Sequence, residues 1–326
     1  MQLVTSIGEI IARFNDMRIS HPRADSIFDI LDAMREGKRK SASGQQPAGS
    51  FFAESGYGKS TILTMYLERR VVDYCLEKGL FAKTKSREDI LKEQRLVIYV
   101  SLPSSTTMKS LMTSLLVALG DPKPHAGSTD DKIHRADTLM RKLGVELLII
   151  DEVDHLQLPL PRTNANREKA SAAHNHLKNI LLKGYPIMFV GIPESREKLF
   201  AEKQLARRER YKIKAEVLKY TDPKDAELLR EFCADLGIIL QEKGIMREIS
   251  DFLSGDILHC LYLAGGGLIG GIVGVVWKAC EVAFAQGAPR VERDHLLEAT
   301  EIYAIPTLIS YNPFVHGARS LVPAIH

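Results

Sequence analysis

The chain is short of cysteine, of net charge and of long charge-free runs, and each shortage narrows what it can be. Four cysteines occur in 326 residues, Cys75, Cys233, Cys260 and Cys280. No two of them form a C-x-x-C pair, and each falls in an apolar helical stretch where a thiol serves as a small buried hydrophobe. Reduced thiols point to a cytoplasmic protein. The formal charge of +3 is too small to argue for nucleic acid by itself, although basic residues cluster at Lys38 to Lys40 and at Arg207 to Lys214. The N-terminal "MQLVTSIGEIIARFNDMR" carries acids and no small-residue cleavage site, so it does not read as a secretory signal. Only Cys260 to Trp277 reaches the eighteen charge-free residues that suggest a membrane span. Six of those residues are glycine, Gly265 to Gly267 is a natural break, and Lys278 and Glu281 continue the second half in a polar register. Two short helices packed closely at their glycines account for it better, and no membrane is expected. The "HNH" at 174 to 176 has no cysteine or acidic cluster beside it to complete a metal site.

What is present begins at "FFAESGYGKSTILTMYLERR", residues 51 to 70. A phosphate-binding loop of the form G-x-x-x-x-G-K-[ST] needs glycine where backbone N–H groups turn inward around a polyphosphate, a lysine to reach the terminal phosphates and a hydroxyl to ligate magnesium. Gly56, Gly58, Lys59 and Ser60 supply these elements, and Ser55, Tyr57 and Thr61 complete the nucleotide-binding set. Ala53 stands where the common loop has its first glycine. That is tolerable if its φ stays negative, the turn then resting on Gly56 and Gly58. A short apolar strand at 50 to 53 precedes the loop. Ile62, Leu63, Tyr66, Leu67, Val71 and Tyr74 follow at helical spacing, so the motif sits between strand and helix. The plainer alternative is a glycine turn before an ordinary helix.

About ninety residues later "VELLII", Val145 to Ile150, reads as a strand buried on both faces, ending in Asp151 and Glu152. A carboxylate pair at such a strand exit suits magnesium coordination by Asp151, shared with Ser60, and polarisation of the attacking water by Glu152. The two motifs in this order predict an ATPase using ATP and Mg2+. The alternative for the second is a strand end followed by a solvated turn.

The composition, 45% hydrophobic and 26% charged, supports a large α/β domain plus a smaller one. Periodicity predicts a helix near 23 to 36, a polar linker at 37 to 49, and further strands at Leu96 to Ser101, Val145 to Asp151, Pro186 to Gly191 and Tyr211 to Val217. Helical patterns between the strands predict a mainly parallel sheet covered on both faces. Residues 76 to 95 read as an exposed helical excursion. From Thr221, placed as the cap of "DPKDAELLREF", the pattern is wholly helical. The expected division is an N-terminal helical segment and linker at 1–49, an α/β core at 50–220, a helical lid at 221–303 and a proline-containing tail at 304–326 that orders against something else.

The segments "RISHPRADSIFDIL", "GVELLIIDEVDHL", "NHLKNILLKGYPIMFVG", "QLARRERYKI", "GGLIGGIVG" and, near the end, "YNPF" resemble the TniB/TnsC family of AAA+ ATPases from transposons. The likeness runs from about Ile19 to Thr300. It implies an α/β P-loop AAA+ ATPase core, a parallel sheet between helices, with a small all-helical C-terminal lid. It further implies a transposition regulator that oligomerises with ATP on double-stranded DNA as a ring or helical filament, linking a TniQ-type target selector to a DDE transposase. Lys59, Ser60, Asp151 and Glu152 match the family's motif. Arg208 in "LARRER" stands where the family donates an arginine to the neighbouring subunit's γ-phosphate, with Arg207 and Arg210 as rivals and a solvated basic turn as the plain alternative. Ile19, His21 and Pro22 correspond to the segment near the adenine, where apolar walls matter more than charge. Asn175 falls in a similar Asn-x-Leu-Lys stretch, near the phosphates. Two departures stand out. Gly191-Ile192-Pro193 offers no polar sensor side chain, and Gly271 replaces a sensor arginine, so slow, switch-like hydrolysis is expected.

In such an assembly the loop after the second strand, "PSSTTMKSLM", faces the DNA. Lys109 and the hydroxyls of Ser104 to Thr107, with Ser128 and Thr129 before the next helix, are candidate phosphate ligands at helix N-termini, which predicts sequence-tolerant, salt-sensitive binding. A simple capped helix is the alternative. Two other functions share these motifs: a helicase loader of replication, and a P-loop phosphotransferase acting on a small molecule.

Overall fold

The structure, a computed structural model, describes residues 2–41, 44–157 and 175–317. Contacts divide the chain into two units. An α/β unit comprises Arg23–Ser55 and Lys59–Ala215, and a helical unit takes the chain up to Pro22, the short Gly56–Gly58 piece, and everything from Glu216 on. The first 22 residues thus go with the helical unit, while the helix that follows them belongs to the α/β unit.

In chain order the elements are α1 (Ile7–Asn15), α2 (Pro22–Lys40), β1 (Ala48–Phe52), α3 (Lys59–Tyr66), a π-helical turn (Leu67–Val71), α4 (Val72–Glu77), α5 (Arg87–Glu93), β2 (Val97–Ser101), α6 (Met108–Leu119), α7 (Thr129–Leu143), β3 (Leu147–Asp151) and a 3-10 turn (Val153–His155). There follow α8 (175–182), β4 (Ile187–Gly191), α9 (Pro193–Leu199), α10 (Lys203–Ala206), β5 (Glu209–Lys214), α11 (Pro223–Glu242), α12 (Ile257–Ala264), α13 (Ile269–Ala285), α14 (Arg293–Ala299), a second π-helical turn (Thr300–Ala304) and α15 (Pro313–His316).

The five strands form one sheet in the order β2-β3-β4-β1-β5, and every neighbouring pair is parallel. All five residues of β3 and of β4 are buried, which is why both read as unbroken apolar runs and not as alternating strands. Gly49 in β1 packs against methionine side chains, and a Cβ there would meet the Met188 Cε at 2.5 Å and make that side chain move.

Four boundaries differ from expectation for physical reasons. Helix α2 runs through Lys38 to Lys40, which were read as linker, because Arg39 is anchored to Glu146 at 2.8 Å. The last strand starts at Glu209, two residues before its expected start. Glu209 is charged yet buried, its carboxylate taking two guanidinium N–H groups of Arg196 at 3.2 and 2.6 Å. The cap of α11 is Asp222, not Thr221, because Pro223 occupies the first helical position and Asp222 accepts the N–H groups of Lys224 and Asp225. In "YNPF", Asn312 caps α15 through the Phe314 N–H, and its side-chain amide donates to the Leu297 carbonyl and Glu301, so the described part of the expected tail packs into the helical unit.

Helices α12 and α13 are bent by 110° at the break after Ala264, and no single described helix is long and apolar enough to cross a membrane. Gly271 lies so close to the Gly265 carbonyl that a Cβ would meet its oxygen at 2.3 Å, which is the close packing anticipated for the glycine run. Phe14 of α1 stacks on Trp277 of α13 with centroids 5.1 Å apart.

The helix before the phosphate loop is tied to the strand that carries the acid pair. Arg35, 1% exposed, donates through Nε to Glu146 at 2.8 Å, immediately before β3, and through Nη1 to Asp32 and the Tyr66 hydroxyl. Its Nη2 is buried without a hydrogen-bond partner. Arg35→Ala takes one of two guanidinium partners from the buried Glu146 carboxylate and leaves Arg39. It is expected to lower the stability of the α/β unit by about 3 kcal/mol, and adding Arg39→Ala, which strands the carboxylate, to cost more. Urea unfolding of the two variants checks both.

Candidate functional site

The two sequence motifs meet at the C-terminal edge of the sheet. Lys59 and Ser60 open α3, which follows β1 through the loop, and Asp151 closes β3. The Ser60 hydroxyl donates to Asp151 Oδ2 at 3.0 Å although the two residues are 91 apart in sequence. Asp151 is 1% exposed, and both of its carboxylate oxygens accept hydrogen bonds. Oδ2 also accepts the Tyr99 hydroxyl at 2.6 Å, and Oδ1 accepts the Glu152 backbone N–H at 2.8 Å.

The loop geometry explains Ala53. Its N–H donates to the Gly191 carbonyl at 3.1 Å, extending the β1–β4 pairing, and positive φ falls instead on Gly56 (79°) and Gly58 (95°). No reversal is needed at 53, so no glycine is. The Lys59 ammonium donates to the Ala53 and Glu54 carbonyls at 2.5 and 3.1 Å. Burial pulls its pKa below the usual lysine range, against the attraction of Asp151, Asp154, Glu54 and Glu152. A cation satisfied only by loop carbonyls gains charge-assisted bonds when phosphate oxygens replace them. Ser55 and Thr61 are exposed at the two ends of the loop, and Tyr57 is half-buried.

Glu152 follows Asp151 with φ 57° and ψ 42°, a left-handed conformation that non-glycine residues rarely adopt. Its carboxylate accepts the Ser101 hydroxyl at 2.5 Å. The segment after β2 is strapped to the segment after β3. The Leu102 N–H donates to the Asp151 carbonyl, Thr106 N–H to His155 O, and Gln157 N–H to Thr106 O. His155 adds a ring contact, Nδ1 lying 2.8 Å from the Leu102 carbonyl, and that hydrogen bond raises its pKa. Tyr99, Ser101 and His155 were not singled out from sequence. The signal for the first two was present, since positions i and i+2 of a strand share a face and β2 was expected.

The two departures lie in crowded surroundings. A Cβ at Gly191 would meet Ser195 Oγ, Val153 Cγ2 and Asp154 Oδ1 between 2.8 and 3.2 Å, so β4 ends packed against the turn after Glu152. At Gly271 backbone fills the space.

Other expected site residues lie elsewhere. Ile19 and His21 are buried in the helical unit, His21 edge-on to Phe232 at 6.2 Å, with Pro22 beside them at the start of α2. Arg208 precedes β5, at the N-terminal edge of the sheet. With Gln45, Gln204, Arg207, Arg210 and Tyr211 it lines a cavity of about 640 Å³. Its Nη1 donates to Gln45 Oε1 at 3.0 Å and its Nε is buried without a partner. Thr107 caps α6, accepting the Ser110 N–H, with Lys109 exposed in a first turn that holds no acid. Ser128 caps α7, where Thr129 is the first helical residue, but its hydroxyl donates to Asp131 in a capping box and Asp130 adds a second carboxylate. The start of α7 thus carries its own anions and that of α6 does not. Asn175 accepts from Lys178 at 2.9 Å, and His174 lies outside the described residues.

Among the described residues no group of three or more His, Cys, Asp or Glu is placed to hold a metal. Magnesium has no need of one, since it binds through one or two protein oxygens with waters and substrate phosphates. The adjacent Ser60 hydroxyl and Asp151 carboxylate are such hard oxygen donors and fit it.

A parallel sheet in this order, a phosphate loop after β1, an acid pair after β3 and a following helical unit define the AAA+ ATPase class. Solved structures share the fold. Aeropyrum pernix ORC2, determined as ADPNP–ADP complexes, has a TM-score of 0.58 at 17% identity, covering 91% of this chain and 73% of that one. Aeropyrum pernix ORC1, determined in complex with DNA, gives 0.56 at 15% over 88% and 66%, so this chain spans about two thirds of its length. Cdc6p from Pyrobaculum aerophilum gives 0.53 at 13% over 87% and 68%. More particularly, the model of the bacterial TniB protein family matches residues 11–215, and the chain belongs to that family. No curated protein matches it.

The conformation of Glu152 gives a test independent of ligands. A left-handed non-glycine residue costs roughly 1–2 kcal/mol, and glycine returns part of that gain as unfolded-chain entropy. Glu152→Gly is expected to stabilise the α/β unit by about 0.5–1 kcal/mol in urea unfolding while removing the carboxylate. A lower midpoint would mean that the Ser101 contact outweighs the strain.

Proposed function

We propose that this protein is an ATP-dependent, DNA-binding adaptor of transposition that oligomerises on duplex DNA as a ring or helical filament and links a TniQ-type target selector to a DDE transposase. The reading is carried by the meeting of Lys59, Ser60, Asp151 and Glu152 at one sheet edge in a chain of the TniB family. Lys59 and the loop N–H groups bind the β- and γ-phosphates of ATP, Ser60 and Asp151 hold Mg2+, and Glu152 orients the attacking water. Without a polar side chain at Gly191 or an arginine at Gly271, hydrolysis is slow and serves as a switch.

Arg208 supports assembly as part of the reaction. Strand β1 alone separates its end of the sheet from the phosphate loop by roughly 13 Å, at 3.3 Å per residue. That separation supports donation to a neighbour's nucleotide and not to its own, with Arg207 and Arg210 beside it. Ile19, His21 and Pro22 are proposed to wall the adenine. DNA phosphates are proposed to bind at the acid-free start of α6, through Lys109 and Thr107, with Ser128 and Thr129 at the α7 start as lesser contacts.

Light scattering and microscopy on duplex DNA test the reading directly. The wild type should assemble only with ATP and Mg2+, and Lys59→Ala should not assemble. Arg208→Ala should bind ATP yet neither assemble nor hydrolyse it. Mixing the two inactive variants should recover part of the ATPase activity, because one supplies the loop and the other the arginine. ATP turnover without any DNA-dependent assembly would point instead to a small-molecule phosphotransferase.

Lys109 makes a separate prediction. Lys109→Ala should weaken DNA binding and reduce the slope of log K against log salt by about 1, with ATP affinity in the absence of DNA retained. An unaltered salt titration would remove Lys109 from the DNA surface.

A further inference from the structure

Strand β2 presents two hydroxyls to the two carboxylates of the acid pair. Tyr99 and Ser101 lie on one face of the strand, in register with Ile149 and Asp151 of β3. The Tyr99 hydroxyl donates to Asp151 Oδ2 at 2.6 Å, the shorter of the two bonds that this oxygen accepts, and the Ser101 hydroxyl reaches Glu152. The phenol O–H is the donor and Asp151 Oδ2 the acceptor, and the ring that carries the hydroxyl is held by the register of β2 on β3.

The two donors on Oδ2 would differ in their roles at a magnesium site. Under the reading above, Ser60 would offer its oxygen to the metal, and its hydroxyl would no longer have to satisfy Asp151. Oδ1 is held by the Glu152 N–H, so the hydrogen bond from Tyr99 is the side-chain contact that still fixes the rotation of the carboxylate. A carboxylate left with one backbone bond samples several orientations, and each must be given up again when the metal shell forms.

We propose that Tyr99 is a positioning residue for the magnesium site: its hydroxyl holds the Asp151 carboxylate in the orientation that receives the Mg2+ of a bound nucleotide. The role rests on the assignment of Lys59, Ser60 and Asp151 as a nucleotide–magnesium site. It adds a residue that the phosphate-loop and acid-pair motifs do not contain.

The test is a magnesium titration of the binding of a fluorescent ATP analogue to the full chain, comparing wild type with Tyr99→Phe, which removes one oxygen and keeps the ring. In EDTA the two should bind the analogue with equal affinity. With Mg2+, the concentration giving half the metal-dependent gain should rise on the order of tenfold in the variant, as for loss of a hydrogen bond to a charged group. Saturating Mg2+ should restore its affinity. In the Asp151→Asn background, Tyr99→Phe should cause no further shift. Replacing Tyr99 with 3-fluorotyrosine, a stronger donor that keeps the ring and hydroxyl, should lower the half-saturating concentration, and gives a reading even if Tyr99→Phe folds poorly. Equal half-saturation for wild type and Tyr99→Phe, weaker binding of that variant already in EDTA, or an undiminished shift in the Asp151→Asn background would each overturn the role of Tyr99. If the wild type shows no magnesium-dependent gain at all, the nucleotide–magnesium reading itself falls, and this inference with it.

Discussion

A carboxylate at the end of a buried strand has to be met by donors, and the architecture around Asp151 follows from that need. A charge removed from water costs several kcal/mol unless hydrogen bonds replace its hydration. Asp151 obtains three such bonds from three sources: the start of α3, the face of β2 and the backbone of its own neighbour. Each source constrains something else. The Ser60 bond fixes where α3 begins relative to β3, and so where the phosphate loop lies. The Tyr99 bond needs β2 to sit beside β3 in the observed register. The Glu152 N–H reaches back to Oδ1 from a residue in left-handed conformation, so the strain at Glu152 and the satisfaction of Asp151 occur in one local geometry.

Sheet order converts this local need into a division of labour. Strand β4 lies between β1 and β3, and its last residue, Gly191, takes the Ala53 N–H on one side and faces the Val153 and Asp154 side chains on the other. The strand exit is crowded, and the side chains gathered near it are those of the acid pair, the start of α3 and β2. At the opposite edge β1 and β5 begin together, with the Ala48 N–H donating to the Arg208 carbonyl. That backbone bond holds Arg208 a strand's length from its own loop. There its guanidinium lines a cavity, with Nη1 on Gln45 and Nε buried without a partner.

Much of this was legible in the sequence because it depends on short-range pattern. Buried parallel strands write themselves as apolar runs, and the phosphate loop and acid pair are local motifs, so Val145 to Asp151 and Gly56 to Ser60 could be placed without coordinates. What was missed depends on long-range partners. Glu209 looked like loop because a charge in a strand is understandable only once Arg196 is beside it. Lys38 to Lys40 looked like linker because the anchor of Arg39 is Glu146, far along the chain. Tyr99 and Ser101 looked like ordinary strand residues because their significance lies in facing β3. Ala53 was noticed as a departure, and the reason it is tolerated is its bond to Gly191, which no pattern around residue 53 encodes.

The strap between 101–107 and 151–157 joins the proposed nucleotide site to the proposed phosphate-binding start of α6. A ligand shifts a protein only by binding one of its arrangements better than another. Ser101 and Thr106 lie on one continuous run of chain, the first holding Glu152 and the second paired with His155 and Gln157, and α6 with Lys109 starts directly after it. An anion bound at Lys109 that left this run unmoved would change nothing at Glu152, however tightly it bound. One that favoured an arrangement in which Ser101 releases the carboxylate would alter hydrolysis without touching the nucleotide. On the proposed function the chain that links the two sites is the run between Ser101 and Met108, a stretch that includes Ser105 at φ 61°, the other described non-glycine residue in left-handed conformation. The two left-handed residues thus lie on the two segments of the same strap, Glu152 in the acid pair and Ser105 three residues before the start of α6.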